Sequence, residues 1–143
     1  MSTETHEMHS PENAVISIVA GVIAGAVAAV LLYIPVMAVA MTFGKASLPT
    51  QILLVYPVML LAAFLIMMAA AWVCARIAVA KERQHATVLW FIGFLLVIVP
   101  QTDSKFSSWE SVIATGCVAF AGALGIRSGV RIAMKRKKKS NPY

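Results

Sequence analysis

Apolar positions in this chain run in unbroken blocks rather than alternating. Four blocks with almost no ionisable residue cover 14–43, 52–75, 86–100 and 112–126, which is 30, 24, 15 and 15 residues. Crossing a hydrocarbon layer of ~30 Å takes about 20 helical residues. The first two blocks meet that length alone. The last two reach it only with tolerable neighbours: Thr102, Ser104 and Phe106 beyond the third, Ser107–Ser111 before the fourth, and a snorkelling Arg127 after it. The pattern predicts an all-α integral membrane protein, an antiparallel bundle of four transmembrane helices. The spans fall at about 11–43, 49–76, 84–101 and 109–131, with a re-entrant third segment as the alternative.

Punctuation agrees with these boundaries. Ser10-Pro11-Glu12 is a helix start, with a capping serine, proline at the first helical position and an acid near the positive end of the helix. Gly44–Ser47 reads as a tight turn, and Pro49 opens the second span. Lys81–His85 reads as a short polar link. Ser107-Ser108-Trp109-Glu110 matches a capping box before the last span. Short loops make consecutive helices antiparallel neighbours. The chain divides into a polar tail over 1–10, a helical domain over 11–134 and a basic tail over 135–143.

The chain is 60% hydrophobic and 13% charged, far from the near-quarter charged fraction of soluble domains. Its cations sort by face. The second link carries Arg76, Lys81 and Arg83, and the C-terminal end carries Arg127, Arg131, Lys135, Arg136, Lys137, Lys138 and Lys139. The other two loops carry only Lys45 and Lys105. With four spans, the positive-inside rule places both termini in the cytoplasm of an inner (plasma) membrane. Phe43, Phe106 and Trp109 then fall at the outer interface, and Trp72 and Trp90 toward the inner one. Ala38-Val39-Ala40 looks like a cleavage site. However, the leader 1–13 has three acids and no Lys or Arg, and the apolar run far exceeds a signal peptide's, so retention is expected.

Chemistry is sparse. Cys74 and Cys117 sit roughly 24 Å apart in depth at ~1.5 Å per residue, too far for a disulfide. His6-Glu7-Met8-His9 lacks the ligand spacing of a structural metal site, so no metal and no cofactor is expected. His85 falls in the polar link, and no histidine is placed deep in a span to hold a haem. Acids are confined to tails and links, which argues against ion-coupled transport. Ser17, Tyr33, Thr42, Tyr56, Thr87 and Thr115 are too scattered to line a wet pore. No nucleophile–base pair or phosphate loop appears, so no enzyme activity is expected.

Three features remain. Gly21, Gly25 and Ala29 in the first span, and Ala121, Gly125 and Gly129 in the last, form strips of small residues four apart that let backbones approach closely. The first lies deeper in the membrane and reads as the stronger. Pro35 and Pro57, each beside a tyrosine (Tyr33, Tyr56), fall at matched depth as a candidate hinge. The basic stretch from Arg127 to Lys139 predicts anionic-lipid contact along a continuing helix, with no platform for nucleic acid beside it. These materials suit a small non-catalytic protein that packs against another integral membrane protein, as an accessory subunit or an immunity or exclusion protein. The other class is a homo-oligomeric small channel or transporter with a proline-kinked gate.

Overall fold

A computed structural model describes residues 11–78, 81–98 and 109–140. The described residues are all helical apart from turns. They form α1 (Pro11–Phe43), a single turn α2 (Leu48–Thr50), a π-helical stretch (Gln51–Val55), α3 (Tyr56–Ile77), α4 (Glu82–Ile98) and α5 (Trp109–Ser140). Three stretches are long and apolar enough to cross a membrane: Glu12–Phe43, Gln51–Ile77 and Val112–Arg136. The described part of α4 has 17 residues, about 25 Å of helix.

Local chemistry explains the irregular corner between α1 and α3. The Gly44 N–H closes α1 on the Ala40 carbonyl at 2.7 Å. A Cβ at Gly44 would collide with that same oxygen, so the close corner needs glycine. Gln51 reaches back, its Nε2 donating to the Gly44 carbonyl at 2.8 Å and the Ala46 carbonyl at 3.0 Å. The Ser47 and Thr50 hydroxyls pair at 3.0 Å. Pro57 then sits in the first turn of α3. Its ring clashes with a carbonyl four residues back and it offers no N–H. The chain answers by widening: the Tyr56 N–H bonds to the Gln51 carbonyl five residues earlier.

The short link after α3 is tighter than the sequence suggests. Ala78 leaves the helix in extended conformation, its N–H still held by Cys74 at 2.9 Å. Lys81 has φ 56°, the left-handed region that costs a non-glycine residue about 1–2 kcal/mol. Helix resumes at Glu82, so most of the expected polar link 81–85 is the first turn of α4. At the far end, α5 runs on through Lys135 to Ser140, carrying the basic stretch as helix. The capping serine Ser107, the tail 1–10 and loop 101–108 lie outside the described residues.

The helices alternate up and down. Gly21 faces Cys74 and Gly25 faces Ala70, so α1 and α3 run antiparallel. Gly125 faces Phe64 and Gly129 faces Met68, so α3 and α5 run parallel. Gly93 meets Met67, and Ser17 meets His85, which sets α4 against α3 and alongside α1. Helix α3 is central: its largest interface is with α5, its next with α1, while α4 touches all three more lightly. The tightest packing lies where α3 ends and α4 begins. Ala71, Ala75, Ala86, Val130 and Ala133 cluster there, with Ala70, Cys74 and Leu89 beside them. Most are alanines. Small side chains here let the helix backbones approach closely.

Candidate functional site

Helices α1, α3, α4 and α5 enclose a recess of about 380 Å³. Half of its lining residues are glycine or alanine, among them Gly21, Gly25 and Ala29 from α1, Ala63 from α3, Gly93 from α4 and Gly122 from α5. Larger side chains edge it, among them Met67, Leu89 and Trp90. Small residues on every wall leave room that neighbouring side chains do not fill. For scale, an apolar cavity of about 150 Å³ holds benzene, and ligand pockets run from about 300 Å³ upward.

Trp90 ties the recess together. Its indole N–H donates to the Ala119 carbonyl of α5 at 3.3 Å. Its ring stacks on Phe94 at 5.3 Å and 8° and meets Phe91 edge-on at 5.0 Å. The indole thus bridges α4 and α5 beside Gly122, where a Cβ would stand 3.7 Å from its nitrogen. The bridge orients α4, the most lightly held of the long helices.

The closed end of the bundle holds a polar contact that the sequence reading passed over. Ser17 is fully buried, and His85 lies half-buried in the first turn of α4. The Ser17 hydroxyl donates to the Ala14 carbonyl at 2.9 Å and pairs with His85 Nδ1 at 3.1 Å. A hydroxyl has one proton. With that proton on Ala14, Ser17 accepts from the Nδ1–H of His85. The tautomer of His85 sets which of the two groups donates. The buried, free Cys74 packs beside Ser17. The pair fastens α1 to α4. One signal for it was on hand: Ser17 lies four residues before Gly21, on the same face as the glycines that meet other helices.

The small-residue strips lie inside the chain. Gly21 and Gly25 are buried against α3, where added Cβ atoms would stand 3.0 Å from the Cys74 Cβ and 3.2 Å from the Ala70 Cβ. Gly125 and Gly129 come closer still: added Cβ atoms would strike the Phe64 and Met68 carbonyl oxygens. Added Cβ atoms on the second strip meet mainly backbone, and those on the first meet mainly side-chain atoms. Ala29 and Ala121 are half-buried. Tyr33, Pro35, Tyr56 and Pro57 are all exposed, and none lines either recess described.

The basic residues take different places. Arg127 and Arg131 line a second recess of about 350 Å³, together with Arg83 and Thr87 of α4. Arg136 lies over the Trp72 ring at 5.9 Å, and Arg76 lies over the same ring at 5.5 Å, both within cation–π range. Lys135 is exposed, and Lys137, Lys138 and Lys139 continue α5. Among the described residues no group of three or more His, Cys, Asp or Glu stands close enough to hold a metal. Cys117 is exposed and free, remote from Cys74. A scan against protein-family models, a search of curated proteins and a search of solved structures each return no match.

Proposed function

We propose that this chain is a small non-catalytic protein of the inner membrane that acts by packing against another integral membrane protein. In this reading it crosses four times, with α4 as the third crossing and both termini cytoplasmic. The observation that carries the reading is the recess lined by Gly21, Gly25, Ala29, Ala63, Gly93 and Gly122 between α1, α3, α4 and α5. A gap of this kind accepts bulk from outside, and a partner helix presenting one or two large side chains supplies it at the close approach that small residues allow. Accessory subunits and immunity or exclusion proteins work by such lateral engagement. The glycine strips that an oligomeric channel would use between subunits are spent on α3 within one chain.

A photo-crosslinking residue at Ala29 tests this in native membranes, with the exposed position Val15 as control. The proposal expects one integral membrane protein captured from Ala29 and not from Val15, and no solute flux in liposomes of the pure chain. Equal capture from both positions, or flux without a partner, overturns it. Orientation is tested separately by Ser140→Cys, which an impermeant thiol reagent should leave unlabelled in intact cells. Labelling from outside would reverse the topology.

A further inference from the structure

The arginine recess between α4 and α5 has a chemistry of its own. Three arginines line it, Arg83 from α4 and Arg127 and Arg131 from α5, all exposed, and no carboxylate is among its lining residues. Arg127 and Arg131 are four apart, hence on one helix face about 6 Å apart along the axis. Arg83 is the second residue of α4, at the positive end of that helix dipole. Thr87 also lines the recess, but its hydroxyl donates back to the Arg83 carbonyl at 2.8 Å, so the arginines supply the donors. The floor is apolar, with Ile126 and the buried Val130. One turn deeper along α5, at Gly122, the apolar recess begins.

We propose that this recess is a specific seat for the phosphate headgroup of an anionic phospholipid, held by Arg83, Arg127 and Arg131 while its acyl chains lie along the apolar surface of α4 and α5. Three like charges lining one recess favour an anion. Guanidinium forks match phosphate oxygens two at a time, which a lysine ammonium does not. Basic pockets between helices at the cytoplasmic side suit lipid headgroups, and apolar surface directly beneath the cations selects an amphiphile over a free ion. This site differs from diffuse attraction by the lysines of the α5 end, because it is walled on two helices and takes one headgroup. The inference rests on the membrane reading of the chain, and it is independent of the protein partner.

The test is lipid retention by the purified full chain in mild detergent, read by native mass spectrometry during titration with phosphatidylglycerol, phosphatidylcholine or glycerol phosphate. One phosphatidylglycerol should be held per chain and phosphatidylcholine should not. Arg83→Gln should weaken retention about tenfold, the loss of one charge-assisted contact of about 1.5 kcal/mol or more. Arg83→Lys should recover only part of it, and Lys137→Gln with Lys138→Gln and Lys139→Gln should leave it within twofold. A circular dichroism spectrum unchanged by Arg83→Gln ties the loss to the site. Equal retention of phosphatidylcholine, an effect of the lysine variants as large as that of Arg83→Gln, or displacement by glycerol phosphate at matched concentration overturns the proposal. Failure here leaves capture at Ala29 untouched, so the two readings fail separately.

Discussion

Helix α3 is flanked by two strips with the same spacing and different mechanics. On the α1 side, Gly21 and Gly25 look mainly at side-chain atoms, the Cys74 and Ala70 Cβ and the Leu89 methyl, at 3.0–3.2 Å from an added Cβ. The Leu89 methyl on the lightly held α4 can yield by a few tenths of an ångström, and the Ala70 carbonyl oxygen, the one backbone atom close to Gly21, stands at 3.1 Å from the added Cβ, farther off than the backbone oxygens that face the α5 glycines. On the α5 side, Gly125 and Gly129 look at the carbonyl oxygens of Phe64 and Met68, and the amide nitrogens of Met68 and Trp72 lie at 3.1 and 3.0 Å. Backbone inside a helix cannot yield unless the whole helix moves. A glycine repeat therefore specifies close approach, while the surface opposite decides how much is lost when the repeat is broken. The Ser17–His85 hydrogen bond ties α1 to α4, while Arg136 of α5 lies over the Trp72 ring of α3.

Substitution at each strip would break or sharpen this contrast. Gly129→Ala should be the most damaging, an overpacking loss of about 1–3 kcal/mol even after the helix-propensity gain of alanine, with Gly125→Ala close behind. Reversible unfolding in mixed micelles measures both, and a loss no larger than that of Gly25→Ala would erase the contrast. Ser17→Ala should come next, at about 1 kcal/mol for one buried hydrogen bond. It should also shift the His85 Nδ1 resonance by nitrogen NMR, and an unmoved resonance would mean that the two groups are not paired. Gly116→Ala faces open space and should stabilise by about 0.5–1 kcal/mol through backbone entropy alone. Gly25→Ala should be near neutral, its 3.2 Å contact with the Ala70 Cβ offsetting a similar gain. A clear loss there would make the two strips equivalent after all.

Block hydrophobicity made the helices legible, because 33 residues from Pro11 to Phe43 without a charge beyond Glu12 admit little else. The end of α1 was legible where glycine acts locally, at the Gly44 corner. The partners were not. Periodicity marks which face of α5 carries Gly125 and Gly129, but not that the face opposite is bare backbone. His85 read as part of a polar link because hydropathy counts it as surface. Its role depends on Ser17, 68 residues away. Arg83 read as a topology signal, and its place opposite Arg127 and Arg131 appears only when α4 folds back along α5. The tyrosine–proline pairs were matched in depth by sequence, but depth does not fix the direction a side chain faces, and all four residues face outward.

The corner beside Gly44 bears on how such a chain enters a bilayer. Gln51 spends both amide protons on the carbonyls of Gly44 and Ala46, and Ser47 and Thr50 satisfy one another. An open corner would drag unpaired polar groups through hydrocarbon, at several kcal/mol for each. On the membrane reading proposed above, a corner that pairs these side chains locally brings α1 and α3 to a bilayer as one looped unit, with Lys45 the charge left at the bend.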